Sequence, residues 1–543
     1  MAEPLQTAVL LCKGSACVKG NLPVTEVSRF LQGYQPSMPV VIGDRLCEPR
    51  ALSRHLPGRD GLHWVIAACS RLADGCEEIG VPVWQATIVE ALKEFNSPLS
   101  PSETTERIKR LVWAQVNRAV AAQPIPRDAL RLRTMGLDEK LSRRELFGMG
   151  RQRYEVIPYI DQGRCGRNPP RECGLCAESC SLHAIIPREG EISIDENLCR
   201  GCGACVVACP RDAVVYPTQS TAQLDREMEG LLDGEAGLQP RVIAFTCDEG
   251  KNEPFHYPAN VLPLRVPCLA LVSPWMLLRA IDRGAQGLVM ILGKTSCRLQ
   301  CDPAGCQKSI LFVQELLTHW GLEQRRVKFI RSTENPPGEL QRELEGFSRE
   351  VGGFPVTRLK AFEPGSVPAT GLPLAALIRD VGIKLGHSQI GIVAKSSAPF
   401  GRVVIDHLRC TGCSLCGLDC PTQALTFSWK GDGDAYQIRF QHDLCVGCGH
   451  CQKVCPEHCL HVKRGLDLDK LDKEPSILFE SNIAPCRECG LPLFPQAMIA
   501  HVRTKLSAAG ASVWAIDLCP SCRLKSTPFR ERLADSPSRE ITI

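Results

Sequence analysis

Short apolar runs alternate with helix-period segments along the first hundred residues. "TAVLLC", "PVVIGDRLC" and "LHWVIAAC" read as buried strands, "VTEVSRFLQGY" carries the helical period, and a further helix is expected at "SRLADGCEEIG". Strand–helix alternation of this kind predicts a small parallel α/β domain over residues 1–98. From 99 to 157 the pattern is charged and helical, with "SPLSPSETTERIKRLVWAQVNRAVAA" opening on a Ser/Pro start signal; it reads as a helical linker. A second α/β alternation fills 238–335: strands at "RVIAFTC", "VLPLRVPC" and "GLVMILG", helices at "SPWMLLRAIDRG" and "QKSILFVQELLTHWG". Residues 336–396 read as a partly helical linker.

Three stretches fit neither period. In 158–218 and 397–465 closely spaced cysteines replace it, and 475–525 carries two CxxC pairs. The order of α/β, cysteine module, α/β, cysteine module and tail suggests a duplication with an appendage, although no residue-level repeat links the α/β parts.

Composition changes this picture in one respect. At 543 residues the chain should hold about three to five domains. Its charged fraction of 23% and hydrophobic fraction of 44% are ordinary for a soluble protein. A net charge of +4 argues against a dedicated nucleic-acid surface. The outlier is 31 cysteines. The N-terminus has no basic region ahead of a long apolar run, and no stretch has transmembrane length. A cytoplasmic chain keeps its thiols reduced, so the cysteines point to metal ligation and not to disulfides.

The first module holds Cys165, Cys173, Cys176 and Cys180, then Cys199, Cys202, Cys205 and Cys209; the second holds Cys410, Cys413, Cys416 and Cys420, then Cys445, Cys448, Cys451 and Cys455. Three of the four runs read C-x2-C-x2-C-x3-C-P. That spacing resembles the bacterial two-cluster ferredoxins, in which the fourth cysteine of a run ligates the other cluster. A tight loop of three cysteines caps three irons of a cubane and cannot reach the fourth. The fourth cysteine is expected to start a helix, with the proline at its first position. Four [4Fe-4S] clusters follow: Cys165, Cys173, Cys176 and Cys209; Cys199, Cys202, Cys205 and Cys180; Cys410, Cys413, Cys416 and Cys455; Cys445, Cys448, Cys451 and Cys420. Zinc is the competing occupant of any four-thiolate set, but interleaved runs found twice favour iron–sulfur. The run from Cys165 departs from the pattern, with a longer first gap and Ser181 in place of the proline. Cys459, in "CPEHCLHV", stands where an apolar residue would pack and reads as a core thiol. Arg200, Arg409 and Lys453 are the cations nearest the runs in sequence, each also readable as an ordinary surface charge.

In the α/β parts thiols stand at strand ends. Cys12, Cys47 and Cys69 each terminate an apolar run, and in a parallel sheet such ends face one crevice, with Cys17 close by in "CKGSAC". "VLLCKGSAC", "DRLCEP" and "WVIAACSRLADGCEEIG" resemble the N-terminal domain of heterodisulfide reductase A subunits, which implies a further [4Fe-4S] cluster on Cys12, Cys17, Cys47 and Cys69; buried structural thiols are the alternative. The second α/β part repeats the arrangement with Cys247, Cys268 and Cys297, followed by Cys301 and Cys306. "RVIAFTC", "LRVPCLALVSP", "RAIDRGAQGLVMILG" and "CRLQC" resemble the delta subunit of methyl-viologen-reducing hydrogenases. The resemblance implies a [2Fe-2S] cluster drawn from these five cysteines, with departures at "CDEGKNEPFHY" and "GKTSC".

Cys486-x2-Cys489 and Cys519-x2-Cys522 form two knuckles about thirty residues apart, the pattern of a zinc ribbon. A rubredoxin iron would use similar spacing, but "FPQAMIAHVRTKLSAAG" reads as an amphipathic helix and the aromatic core of a rubredoxin is lacking, which favours zinc. No G-x-G-x-x-G follows a strand, there is no P-loop, and no C-x3-C-x2-C run marks a radical-SAM site. The expected fold class is multi-domain α/β plus α+β: two small parallel α/β domains, two ferredoxin-like dicluster domains and a zinc-ribbon-like tail. The expected function is single-electron relay between a catalytic oxidoreductase (of hydrogenase, formate dehydrogenase or heterodisulfide-reductase type) and a carrier such as ferredoxin or a quinone-linked acceptor. Thiol or sulfur chemistry at an α/β-domain cluster, and cluster delivery to a metalloenzyme, are the alternatives.

Overall fold

The computed structural model describes residues 6–13, 23–46, 48, 52, 54, 62–67, 86–89, 99–123, 125–132, 154–165, 173–188, 190–233, 238–247, 257–292, 303–331, 338–354, 373–386, 391–393, 396–430 and 435–526. The chain divides into two compact units, 1–165 with 174–389, and 166–173 with 390–543.

In the first unit, strands β1 (Gln6–Cys12), β2 (Val40–Gly43), β3 (Leu62–Ala67) and β4 (Ala86–Val89) form a parallel sheet in the order β2-β1-β3-β4. Helix α1 (Val24–Tyr34) follows the first strand, as its apolar spacing predicts. The next helix, α2 (Pro101–Val120), opens on a complete capping box between Ser100 and Glu103, a device worth about 1 kcal/mol. This helix lies in the segment that reads as a linker, yet its Ile108, Val112, Trp113 and Val116 are buried in one core with Val9, Leu11, Val27, Leu31 and Val65. Its other side meets helix α3 (Thr221–Leu232), where a Cβ on Gly230 would stand 2.5 Å from the Ala114 Cα. Only glycine allows so close a crossing.

A second parallel sheet follows, built from β5 (Val242–Cys247), β6 (Val261–Val266), β7 (Gly287–Leu292) and β8 (Val327–Arg331) in the order β6-β5-β7-β8. Numbered within each domain, both sheets have the strand order 2-1-3-4. The two α/β domains thus share one topology, a likeness that the residues do not show. Helices α4 (Pro274–Asp282) and α5 (Pro303–His319) flank it. Helix α6 (Glu339–Gly352) covers one face with Leu340, Leu344, Phe347 and Val351. Arg107 of α2, fully buried, donates from Nη1 to the carbonyls of Pro258 (3.0 Å), Ala259 (2.9 Å) and Val261 (2.7 Å). That ties the first α/β domain's helix to the turn that enters β6. Asp225 of α3 accepts from Arg279 and Arg283 at 2.9 and 2.7 Å, and Lys384 of α7 (Pro373–Lys384) reaches Asp282 at 2.8 Å. Burial opposes ionisation of Asp225, but the two guanidiniums prevail and hold its carboxyl below the usual range.

In the second unit, β9 (Gly401–Ile405) pairs antiparallel with β12 (Leu460–Arg464). Strands β10 (Leu425–Lys430), β11 (Ala435–Phe440), β13 (Ser476–Pro485) and β14 (Pro492–Pro495) form an antiparallel sheet in that order. The strand leading into Cys486 is thus an added strand of the second cysteine module's sheet. Helix α8 (Gln496–Ala508) forms where the periodicity places it; none of its side chains is fully buried, and Ala497 packs at the edge of the second module's core. Among the described residues no helix is long and apolar enough to cross a membrane.

Candidate metal centres

Each cysteine run closes on the same short device. The prolines after Cys209, Cys420 and Cys455 do not start helices; they open turns, because three residues separate each cysteine from its next backbone anchor. The next-to-last residue of each turn is left-handed: His183 (φ 51°), Asp212 (φ 50°), Gln423 (φ 59°) and His458 (φ 48°). The residue that follows then turns its carbonyl to the other run. Ala184, four beyond Cys180, accepts from the N–H of Asp195 (2.7 Å), four before Cys199. Ala213, four beyond Cys209, accepts from Asp161 (2.8 Å), four before Cys165. In the second module Ala424 accepts from Gln441 (2.8 Å), four before Cys445, and Cys459 accepts from Asp406 (2.8 Å), four before Cys410. Four times over, one backbone hydrogen bond sets the fourth cysteine of a run beside the loop of its neighbour.

The sulfurs follow the backbone. Cys205 is surrounded by Cys202, Cys199, Cys176 and Cys180; Cys416 by Cys413, Cys410 and Cys455; Cys451 by Cys445, Cys420, Cys448 and Cys416. Cys176 with Cys205, and Cys416 with Cys451, mark the junction between the two sulfur sets of each module. Cys165, Cys176, Cys180, Cys205 and Cys209 share one apolar core with Ile185, Ile192 and Val214. Cys173 is half-buried, two residues before the short helix Leu175–Glu178. A cavity in the second module is lined by Cys410, Cys413, Cys416 and Cys455 with Ile405, Ile438 and Leu460. At Gly401 a Cβ would meet the Gly447 Cα at 2.6 Å and the Cys445 Sγ at 2.9 Å, so the loop of Cys445 is packed against β9 without slack.

Burial, reinforced by the adjoining thiols, pushes Cys416 and Cys445 up to about 12. Several ionised sulfurs are tenable in so dry a place only with positive charge among them, which a bound iron centre supplies. The donor sets therefore fit iron–sulfur clusters. Backbone N–H groups aim at the sulfurs: Ala184 to Cys180 (3.3 Å), Ala213 to Cys209 (3.3 Å) and Gly201 to Cys199 (3.4 Å). Cations join them, Arg464 near Cys448 in the second module and Arg131 near Cys199 in the first. Arg131, on the short strand Leu130–Leu132, donates to the carbonyls of Glu196 (3.0 Å) and Cys199 and pairs with Glu155. Burial raises the Cys199 thiol, and the Gly201 N–H and Arg131 pull against it. The sequence points to Arg200, Arg409 and Lys453 by proximity along the chain; Arg131 escapes that reading because 68 residues separate it from Cys199.

In the α/β domains Cys12 and Cys247 occupy one topological position, the last residue of the sheet's first strand. Cys12 and Cys268 are buried, Cys247 is half-buried, and Cys306 is buried in α5. Cys17, Cys47, Cys69, Cys297 and Cys301 lie outside the described residues. A contact links Cys268 to the first module. It caps the 3-10 turn Leu269–Leu271, accepting from the Ala270 N–H. Leu271 in turn packs on Gly203, next to Cys202: a Cβ built on Gly203 would meet the Leu271 Cδ1 at 2.7 Å.

At the C-terminal site the Sγ atoms of Cys486, Cys489, Cys519 and Cys522 all lie within 4.8 Å of one another. Cys489 and Cys519 are 3.7 Å apart, against roughly 3.8 Å for the edge of a tetrahedron with metal–sulfur bonds of about 2.3 Å. The N–H of Cys519 points to the Cys486 Sγ (3.3 Å) and that of Cys522 to the Cys519 Sγ (3.4 Å). The first of these holds the Cys486 thiol below its ordinary value. The donors fit a single tetrahedral ion.

Comparison with protein families gives three matches. Residues 242–354 match the delta subunit of methyl-viologen-reducing hydrogenase, a span that takes in α6 and its cover of the second sheet. Residues 409–459 match the 4Fe-4S dicluster domain and residues 192–215 the 4Fe-4S binding domain. No curated relative matches the chain. The protein is thus a multi-domain iron–sulfur protein that joins a hydrogenase-delta-type domain to ferredoxin-type 4Fe-4S domains.

Proposed function

We propose that the chain is the electron-transfer subunit of an oxidoreductase complex. It relays single electrons between a catalytic partner of hydrogenase, formate dehydrogenase or heterodisulfide-reductase type and a carrier such as ferredoxin or a quinone-linked protein. The observation that carries this reading is the fourfold backbone pairing of each terminal cysteine with the opposite loop. It supports four cubane sites, in two adjacent couples. Bound there, [4Fe-4S] clusters supply reversible one-electron chemistry. The chain's own part is to bury the sulfurs, to offset their charge with N–H donors and Arg131, and to hold the two sites of each module beside one another. The Gly203–Leu271 contact extends the row from Cys199, Cys202, Cys205 and Cys180 toward the hydrogenase-delta-type domain, where we place a [2Fe-2S] site drawn from Cys247, Cys268, Cys297, Cys301 and Cys306. The strand order shared by the two α/β domains supports a cluster on Cys12, Cys17, Cys47 and Cys69 as well. The C-terminal four thiolates we assign to structural zinc.

Anaerobically purified protein should contain about sixteen irons from the cubanes alone and one zinc, and should show coupled cluster signals by electron paramagnetic resonance after reduction. A colourless preparation that is magnetically silent on reduction would overturn the reading. Arg131→Gln removes a positive charge beside Cys199, and so makes adding an electron there less favourable. The potential of that cluster should fall by ~30–60 mV in a redox titration, up to about tenfold in a one-electron equilibrium. An unchanged potential would remove Arg131 from the tuning of the site.

A further inference from the structure

The turns that follow the fourth cysteines are four copies of one structure. Each has a left-handed residue just before its end, at 183, 212, 423 and 458. Each end residue, at 184, 213, 424 and 459, accepts one backbone hydrogen bond of 2.7–2.8 Å from the loop opposite. In three copies that residue is alanine, and in the fourth it is Cys459. Because the backbones correspond, the alanine methyl marks where the Cys459 side chain starts, and its sulfur ends among the metal-site sulfurs. The Cys459 Sγ is 3.4 Å from the Cys455 Sγ and within hydrogen-bond reach of Cys410. It lines the same cavity as Cys410, Cys413, Cys416 and Cys455, and the residue is only 3% exposed. Burial satisfies the expectation of a core thiol; the company it keeps does not. Five sulfurs stand where a cubane takes four.

We infer that Cys459 is a reserve ligand of this cluster, able to take over the iron held by Cys455. The inference rests on the proposed ligation of the site by Cys410, Cys413, Cys416 and Cys455. With Cys455 ligating, Cys459 keeps its proton and donates S–H to the Cys455 sulfur. In the exchange the iron–sulfur bond to Cys455 breaks and one to Cys459 forms, while the Cys459 proton passes to the released Cys455 thiolate. Proton and ligand trade places and no electron moves. Such a site can survive loss or oxidation of Cys455, a protection that its three sister sites, with alanine at the matching position, lack.

The test uses the full chain purified without oxygen, read by iron and sulfide content and by electron paramagnetic resonance after reduction. Cys459→Ala and Cys455→Ala should each retain the wild-type iron content and number of reduced clusters. The Cys455→Ala/Cys459→Ala double variant should lose the cluster or keep a three-iron remnant. Cys420→Ala, whose matching position is Ala424, should lose its cluster as a single variant. Adding Ala424→Cys to Cys420→Ala should restore it, a gain that a general folding defect cannot imitate. The inference is overturned where Cys455→Ala loses as much iron as the double variant, or where Ala424→Cys rescues nothing. Wild-type protein lacking this cluster would sink the ligation reading itself, and is distinguished by showing the deficit before any substitution is made.

Discussion

Cys209→Ala is expected to strip the cluster of the loop that carries Cys165, Cys173 and Cys176, and to leave that of Cys199, Cys202 and Cys205 in place. The result runs against intuition, since Cys209 belongs to the run of the cluster that survives. It follows from the turn: the Ala213 carbonyl is anchored on the Asp161 N–H at 2.8 Å, which places Cys209 at the Cys165 loop. Its sulfur already accepts from the Ala213 N–H at 3.3 Å, so it is held in place before metal binding. Cys180→Ala should do the reverse, through Ala184 and Asp195. Iron analysis should show a loss of about four irons per chain, or about one where a three-iron remnant persists, and the remnant's resonance identifies the damaged site. Should Cys209→Ala instead abolish the signal of the Cys199 loop, the crossed ligation is wrong for this module and the electron path through it must be redrawn.

Much of this was legible without coordinates because cysteine spacing is a local signal. C-x2-C-x2-C-x3-C-P announces a loop that cannot complete its own cluster, and strands such as "RVIAFTC" and "GLVMILG" announce themselves by unbroken apolar runs. The family matches at 192–215, 242–354 and 409–459 agree with those readings. What stayed hidden depends on residues far apart in the chain. The α2 segment reads as a charged linker because only one side of it is apolar; that side completes the first core while Arg107, counted as a surface charge in any local reading, is spent on carbonyls about 150 residues away. Arg131 is invisible beside Cys199 for the same reason. Cys459 was visible as a residue but not as a sulfur near a metal site, since only the fold shows its Sγ 3.4 Å from that of Cys455 at a position where the other three turns have alanine. The shared 2-1-3-4 order of the α/β domains was hidden because strand order is set by the crossover connections and not by particular side chains.

Gly203→Val should weaken the join between the first ferredoxin-type module and the hydrogenase-delta-type domain. Gly203 has φ 80°, a conformation that costs a residue with a Cβ about 1–2 kcal/mol. Its new Cβ would stand 2.7 Å from the Leu271 Cδ1 and 3.2 Å from its Cβ, overpacking worth about 1–3 kcal/mol. Leu271 is 3% exposed and closes the turn that Cys268 caps, so the strain is passed to a cysteine of the neighbouring domain and not shed into solvent. Anaerobic thermal unfolding should register a loss of about 2–5 kcal/mol. After rapid reduction of the ferredoxin-type clusters, appearance of reduced signal from the proposed [2Fe-2S] site should be slower than in wild type. Leu271→Ala separates the two effects: it leaves the backbone of Gly203 relaxed and opens a gap on the other side of the contact, costing about 2–5 kcal/mol. If the contact is the route, both variants slow transfer although one overfills the junction and the other empties it. If both transfer at the wild-type rate while losing stability, the junction is a packing surface only, and electrons must leave the Cys199 cluster by another face.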